Sequence, residues 1–264
     1  MDSRPSRVMS GRVSTVSPRL TCENVTLERG TDEAVLLVHG LGGGPYEVQR
    51  LAETLPLTAR CLVLPGHEVR GRRMPDSTWV QWSVALANEY DALASRHRRV
   101  HLVGFSTGGP LVLHLARERN LTQARLVLLA PFFRVYRPPF APVRPEALLR
   151  AAPFLKQVPR RRPPLGDVAL RAELDALSGF RTFSLGATRS ALELIADLER
   201  QLPVARPLIL QGARDTVVDP SGASWLHQRL PGSVLQFVDS DHLLTLDVSA
   251  AQVIARAVEF LCTR

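Results

Sequence analysis

The chain has 264 residues, 45% of them hydrophobic, and a formal net charge of +8. That composition supplies a core large enough to need no staples, and no apolar stretch reaches the length of a membrane span. The charge is almost wholly arginine, Lys156 being the one lysine, and no nucleic-acid module accompanies it, so it reads as a solvated surface.

Residues 1–20 carry Arg4, Arg7, Arg12 and Arg19, five serines and a single acid, Asp2, without the apolar segment of a secretory signal. They read as a disordered basic tail, an organelle transit peptide being the alternative. Cys22, Cys61 and Cys262 form an odd set without metal-like spacing, which points to a reducing, cytoplasmic compartment. From there the chain alternates strand and helix, the pattern of a mainly parallel sheet covered on both faces.

Ala34–Val38 reads as a strand running into the glycine-rich turn His39-Gly40-Leu41-Gly42-Gly43-Gly44. Cys61–Leu64 is a second strand. A helix is expected from near Thr78, where Thr78 and Gln81 have capping-box spacing and Trp82, Leu86, Tyr90 and Leu93 recur at helical spacing. Val100–Val103 is a strand, Gly104-Phe105-Ser106-Thr107-Gly108 a turn, and residues 109–116 a helix. A serine between two glycines on a strand-to-helix turn describes a nucleophile elbow: its backbone is strained, and its neighbours two residues away must be small. Leu126–Leu129 is the next strand.

Residues 132–186 are too many for a simple crossover. They hold eight prolines, the run Arg160-Arg161-Arg162, and two expected short helices, 146–155 and 168–177. The apolar residues Phe132, Phe133, Phe140, Leu148, Leu149, Phe154, Leu155, Phe180 and Phe183 are expected to pack onto the core or to line a pocket that grips an acyl chain or a hydrophobic alcohol. The arginine run is expected outside any pocket, because three unpaired guanidinium groups are very costly to bury. A partly disordered surface loop is the other reading of this stretch.

Two more strands, 206–212 and 234–238, each end in a loop with a candidate polar group: Asp215 after the first, Asp241 and His242 after the second. Open α/β sheets place their ligand sites at such carboxyl ends. Asp219 is expected to start the following helix and Asp247 to cap the last one, from about Ser249 to Leu261. Asp239 and Asp241 are too near His242 in sequence to reach its far ring nitrogen. His39 and His67 are expected to hold loops by hydrogen bonds. No two histidines have metal-ligand spacing.

The turn at 38–42 (V-H-G-L-G), L-P-G-H at 64–67, G-F-S-T-G-G at 104–109, G-A-R-D-T-V-V-D-P at 212–220 and Asp241-His242 together resemble an α/β-hydrolase of the bacterial carboxylesterase and monoacylglycerol lipase group. The likeness runs from about Val35 to the C-terminus. It implies an α/β-hydrolase fold with a core of residues 21–131 and 187–264 and a small helical cap at 132–186. It also implies a catalytic set of Ser106 as nucleophile, Asp215 as acid and His242 as base, with oxyanion donors on the backbone N–H groups of Leu41 and Thr107. Two positions depart from the family's habit: Thr107 stands where Met is common, and Asp241 where Gly is. The activity implied is cleavage of a small ester, from short- to medium-chain acids or monoacylglycerols, with no cofactor, metal or nucleic acid. An acyltransferase or thioesterase on the same triad, or a ligand-binding protein with a vestigial one, are the other readings.

Overall fold

In a computed structural model the protein is described at residues 19–68, 71–138, 140, 143, 145–151, 154–160, 165, 168–177 and 180–263. The expected basic tail lies outside the described residues except for Arg19 and Leu20. Leu20 is buried against Tyr46.

Nine strands and eight helices are found among the described residues, in the order β1 (Val25–Leu27), β2 (Glu33–Val38), α1 (Tyr46–Thr54), β3 (Thr58–Leu62), α2 (Trp79–Ala94), β4 (Arg99–Phe105), α3 (Gly108–Glu118), β5 (Leu126–Leu129), α4 (Pro145–Ala151), β6 (Gln157–Pro159), α5 (Val168–Leu177), β7 (Thr182–Ser184), α6 (Leu185–Arg200), β8 (Leu208–Gly212), α7 (Ser221–Arg229), β9 (Val234–Val238) and α8 (Ala250–Cys262). Seven strands form one sheet in the order β1-β3-β2-β4-β5-β8-β9, parallel throughout except for β1, which pairs antiparallel with β3 at the edge. This is the α/β architecture that strand–helix alternation leads one to expect.

The strands are apolar on both faces because helices cover both. Along β2, Ala34, Leu36 and Val38 join one cluster while Val35 and Leu37 join the other. The first cluster is closed by α2, α3, α6 and α7 through residues such as Trp82, Leu111, Leu194 and Leu226; the second by α1 and α8 through Val48, Leu51, Val253 and Leu261. Helix α2 begins where its capping box predicts: Thr78 accepts the Gln81 N–H, and Gln81 Oε1 accepts the Thr78 N–H at 2.9 Å.

Several boundaries differ from the sequence reading. Strand β3 starts at Thr58, three residues before the apolar run at Cys61, because its parallel pairing with β2 begins at Ala34 opposite Thr58; Arg60 within it pairs with Glu89 at 2.9 Å. Asp247 does not cap α8. Its carboxylate instead accepts the Ser240 hydroxyl at 2.6 Å and the Asp241 N–H at 3.0 Å, bracing the loop before His242. Asp219 does begin its helix, accepting the Ser221 N–H at 2.9 Å. Between β5 and α6 the described residues hold α4, α5 and the two-stranded sheet β6–β7.

Candidate active site

Ser106 sits between β4 and α3 with φ of +51°, in the left-handed region that side chains other than glycine rarely adopt. The turn is closed by its own main chain: the Ser106 carbonyl accepts N–H groups from Gly109 and Phe132, each at 3.0 Å. A Cβ on Gly104 would meet the Gly108 carbonyl, and one on Gly108 would lie 2.5 Å from the Val38 carbonyl. Only glycine fits either position, which is the spacing rule of a nucleophile elbow.

Asp215 follows β8, and His242 follows β9. His242 Nδ1 donates to Asp215 Oδ2 at 2.8 Å, in surroundings where both side chains are buried. Three more donors converge on the carboxylate. The Val217 and Val218 N–H groups reach Oδ1 at 2.9 Å each, and Gln211 Nε2 reaches Oδ2 at 3.0 Å. Burial pushes the Asp215 pKa up, but the His242 charge and hydrogen bond, with the two loop N–H groups, outweigh it and hold the carboxyl below its ordinary range. The competing acids stand elsewhere. Asp241 turns back to accept its neighbour's main-chain N–H at 2.7 Å and the Thr216 hydroxyl, and Asp239 pairs with Arg214 at 3.1 Å.

Ser106 and His242 line one cavity of about 570 Å³. Ser106 Oγ donates no hydrogen bond to His242 Nε2 among the described residues, and such contacts commonly tighten only when substrate is bound. The Phe105 ring lies 5.0 Å from the His242 ring, centroid to centroid, and fixes its tilt.

The glycine-rich turn after β2 is held donor by donor. The Gly40 N–H goes to Glu47 Oε2 at 2.8 Å, the Gly42 N–H to His67 Nε2 at 2.9 Å, and the Gly43 N–H to the Gly40 carbonyl. His39 donates from Nδ1 to the Gly40 carbonyl and accepts the Leu64 N–H on Nε2. Burial lowers the His39 pKa to about 3, with help from His67, and the His67 pKa to about 4. Both rings are therefore neutral and can accept these hydrogen bonds. Leu41 and Gly44 are residues of this turn whose N–H groups have no partner among the described residues; Leu41 lines the same cavity as Ser106, and Thr107, at the start of α3, likewise has an N–H without a partner there. Two unspent donors thus lie near Ser106, one of them at a helix amino terminus where negative charge is favoured.

Glu47 and Gln211 were not singled out by the sequence reading. Glu47 is buried beneath the turn, where a Cβ on Gly43 would collide with both carboxylate oxygens. Burial raises its pKa to about 7, against the pull of the Gly40 N–H, Arg160 and His242. An ordinary carboxyl titrates near 4.5. Between those values the folded state binds more protons than the unfolded one, so Glu47 costs stability as pH rises through that window and adds no further slope above it. Glu47→Gln lacks this slope. The difference in urea midpoint between variant and wild type should shift in the variant's favour from pH about 4.5 to about 8. Parallel curves would refute the raised pKa.

Described residues between Phe132 and Leu185 contribute to the cavity's lining. Phe132, Leu149, Leu155 and Phe183 line it, as does Arg160. The expectation that the arginine run stays outside is therefore corrected at Arg160. Its guanidinium lies 5.4 Å above the Phe183 ring and beside the Tyr46 hydroxyl, and those contacts offset the cost of partial burial. Arg161 and Arg162 lie outside the described residues. Phe140 and Phe154, expected to pack or grip, are 88% and 81% exposed.

Residues 35–257 match the alpha/beta hydrolase family. A pimeloyl-(acyl-carrier protein) methyl ester esterase from Aromatoleum aromaticum is 33% identical, over 79% of this chain and 90% of that protein. The chain belongs to the alpha/beta hydrolase family. A thermostable monoacylglycerol lipase from Bacillus sp. strain H-257 is 27% identical, over 86% of this chain and 89% of its own length. Among solved structures, the monoacylglycerol lipase of Paleococcus ferrophilus superimposes with a TM-score of 0.73 at 19% identity, covering 90% of this chain and 97% of that one. Among the described residues no helix is long and apolar enough to cross a membrane.

Proposed function

We propose that this alpha/beta hydrolase is a carboxylic ester hydrolase working through an acyl-enzyme on Ser106, with His242 as general base and Asp215 as its orienting acid. One observation carries the reading: a buried Asp215–His242 pair opens onto the same cavity as a serine held at positive φ. Ser106 Oγ attacks the ester carbonyl while His242 Nε2 takes its proton. The negative charge that develops on the carbonyl oxygen is met by the Leu41 and Thr107 N–H groups; losing one such donor typically costs about 100- to 1,000-fold in rate. His242 then gives the proton to the leaving alkoxide, and the C–O bond to the alcohol breaks. Water, deprotonated by His242, attacks the acyl-enzyme. The acid departs and the proton returns to Ser106. Asp215 keeps the base in one tautomer and stabilises the imidazolium.

Residues 132–186 act as a cap. The cavity they help enclose is apolar over most of its wall and sized for one acyl chain with a small alcohol. Esters of short- to medium-chain acids and monoacylglycerols are the substrates, and triacylglycerols are not. A chain-length series of p-nitrophenyl esters, run beside emulsified triolein, tests this. Rates should peak below about twelve carbons, with triolein hardly cleaved. A rate still climbing beyond that length, or strong triolein hydrolysis, overturns the cap assignment.

A further inference from the structure

Asp215 and His242 follow neighbouring parallel strands, and each stands on its own loop past the strand end. Their contact depends on how those two loops are held against each other. The strand ends meet tightly: a Cβ on Gly212, at the end of β8, would collide with the Asp241 carbonyl. Main-chain bonds join the loops on the strand side of the pair. The Ala213 N–H goes to the Val238 carbonyl at 2.8 Å, and the Arg214 N–H to the Ser240 carbonyl at 3.0 Å. Beyond Asp215 the link passes to a side chain. Asp241 Oδ1 accepts the His242 N–H at 2.7 Å and, over a longer 3.4 Å, the Thr216 N–H. Its two oxygens share the Thr216 hydroxyl at 3.2 and 3.1 Å. One carboxylate thus touches both the residue after the acid and the main chain of the base. It is fixed from behind, because Asp247 accepts the Asp241 N–H and the Ser240 hydroxyl.

A carboxylate in this place is costly. Burial, and to a lesser degree the Asp215 charge, raise the Asp241 pKa against the pull of the His242 and Thr216 N–H groups. Glycine, which the resembled family often has here, would avoid that cost and leave the Thr216 hydroxyl without this partner. Asp241 does not line the cavity shared by Ser106 and His242, so its effect on turnover passes through the residues it holds.

We propose that Asp241 is a positioning residue: it clamps the acid loop, at Thr216, to the base loop, at the His242 N–H, and so keeps the Asp215–His242 pair aligned with Ser106. This rests on those three residues acting as proposed above. A misplacement of about 1 Å in such a set can cost about 100-fold in rate.

Steady-state kinetics on p-nitrophenyl hexanoate, beside thermal midpoints, test the clamp. Asp241→Ala should lose about 30- to 100-fold in kcat with KM within about threefold, at a temperature where its circular dichroism is that of wild type. Asp241→Asn keeps an acceptor for the His242 N–H, and its amide can donate to the Thr216 hydroxyl, so its kcat should return to within about fivefold of wild type. Thr216→Val cuts the other end of the contact. It should lose about 5- to 20-fold in kcat, and it keeps the test open if Asp241→Ala does not fold. The double variant should be little slower than Asp241→Ala, because the two side chains serve one contact. A purely structural role would lower the midpoint and leave kcat of the folded enzyme unchanged. That result overturns the clamp, as do losses that multiply in the double variant, or an Asp241→Asn as slow as Asp241→Ala. If wild type still cleaves the ester and a fluorophosphonate labels Ser106, the triad survives such a result. A wild type that neither turns over nor labels overturns both.

Discussion

Ser106→Ala should abolish ester hydrolysis while leaving the fold intact. The expected loss in kcat is on the order of 10⁴- to 10⁶-fold, because without the hydroxyl no acyl-enzyme forms, and what remains is the residual catalysis of the oxyanion donors and binding. The fold should survive because the turn is held by main-chain bonds that alanine keeps: the Ser106 N–H to the Leu129 carbonyl at 2.9 Å, and its carbonyl to Gly109 and Phe132. Alanine pays a strain at φ of +51° similar to that of serine, so the thermal midpoint should move little. A fluorophosphonate should modify wild type at Ser106 and leave the variant unmodified, as read by peptide mass. Retained turnover in the variant, or labelling at another residue, removes Ser106 from the reaction.

The elbow was legible in the sequence because its geometry leaves little freedom. A serine at positive φ, squeezed between a strand and a helix, demands glycine at both flanks, and Gly104 and Gly108 stand there. The parallel strands were legible because burial on both faces makes them continuous apolar runs such as Ala34–Val38 and Leu126–Leu129. The Asp215–His242 pair was proposed from order along the chain and from position at strand ends, and the structure brings the two side chains together at 2.8 Å.

What escaped depends on contacts distant in sequence. Strand β1 is three residues at a sheet edge, too short and too exposed for a periodic signal. The β6–β7 pairing joins Val158 to Phe183 across an intervening helix. Glu47 follows a tyrosine near the start of an amphipathic helix, where a carboxylate reads as solvated; only the glycine run at 42–44 hints that another group approaches that turn closely. Gln211 was detectable in principle, as a polar residue in the otherwise apolar strand Leu208–Gly212, and it proves to donate to Asp215. Arg160 follows the opposite logic. Burial cost argues correctly against hiding three free guanidinium groups, but an aromatic face and a hydroxyl lower that cost for one of them.

Asp215→Asn separates the acid from its neighbours. Four donors converge on this carboxylate: His242 Nδ1, Gln211 Nε2 and the N–H groups of Val217 and Val218. An asparagine has one acceptor oxygen. If that oxygen keeps the two loop N–H groups, the amide NH₂ faces His242 Nδ1, which must then accept. The ring carries its proton on Nε2 instead and can no longer take the one from Ser106. The loss in kcat should be about 10⁴-fold, with a much smaller change in KM. Asp219→Asn is the control, since Asp219 only accepts the Ser221 N–H and an asparagine serves nearly as well at a helix start. Its turnover should stay within about threefold of wild type. Steady-state kinetics on one p-nitrophenyl ester ranks the two. If Asp219→Asn proves the more damaging, Asp215 is not the acid, and the contact at 2.8 Å only anchors the histidine loop to the end of β8.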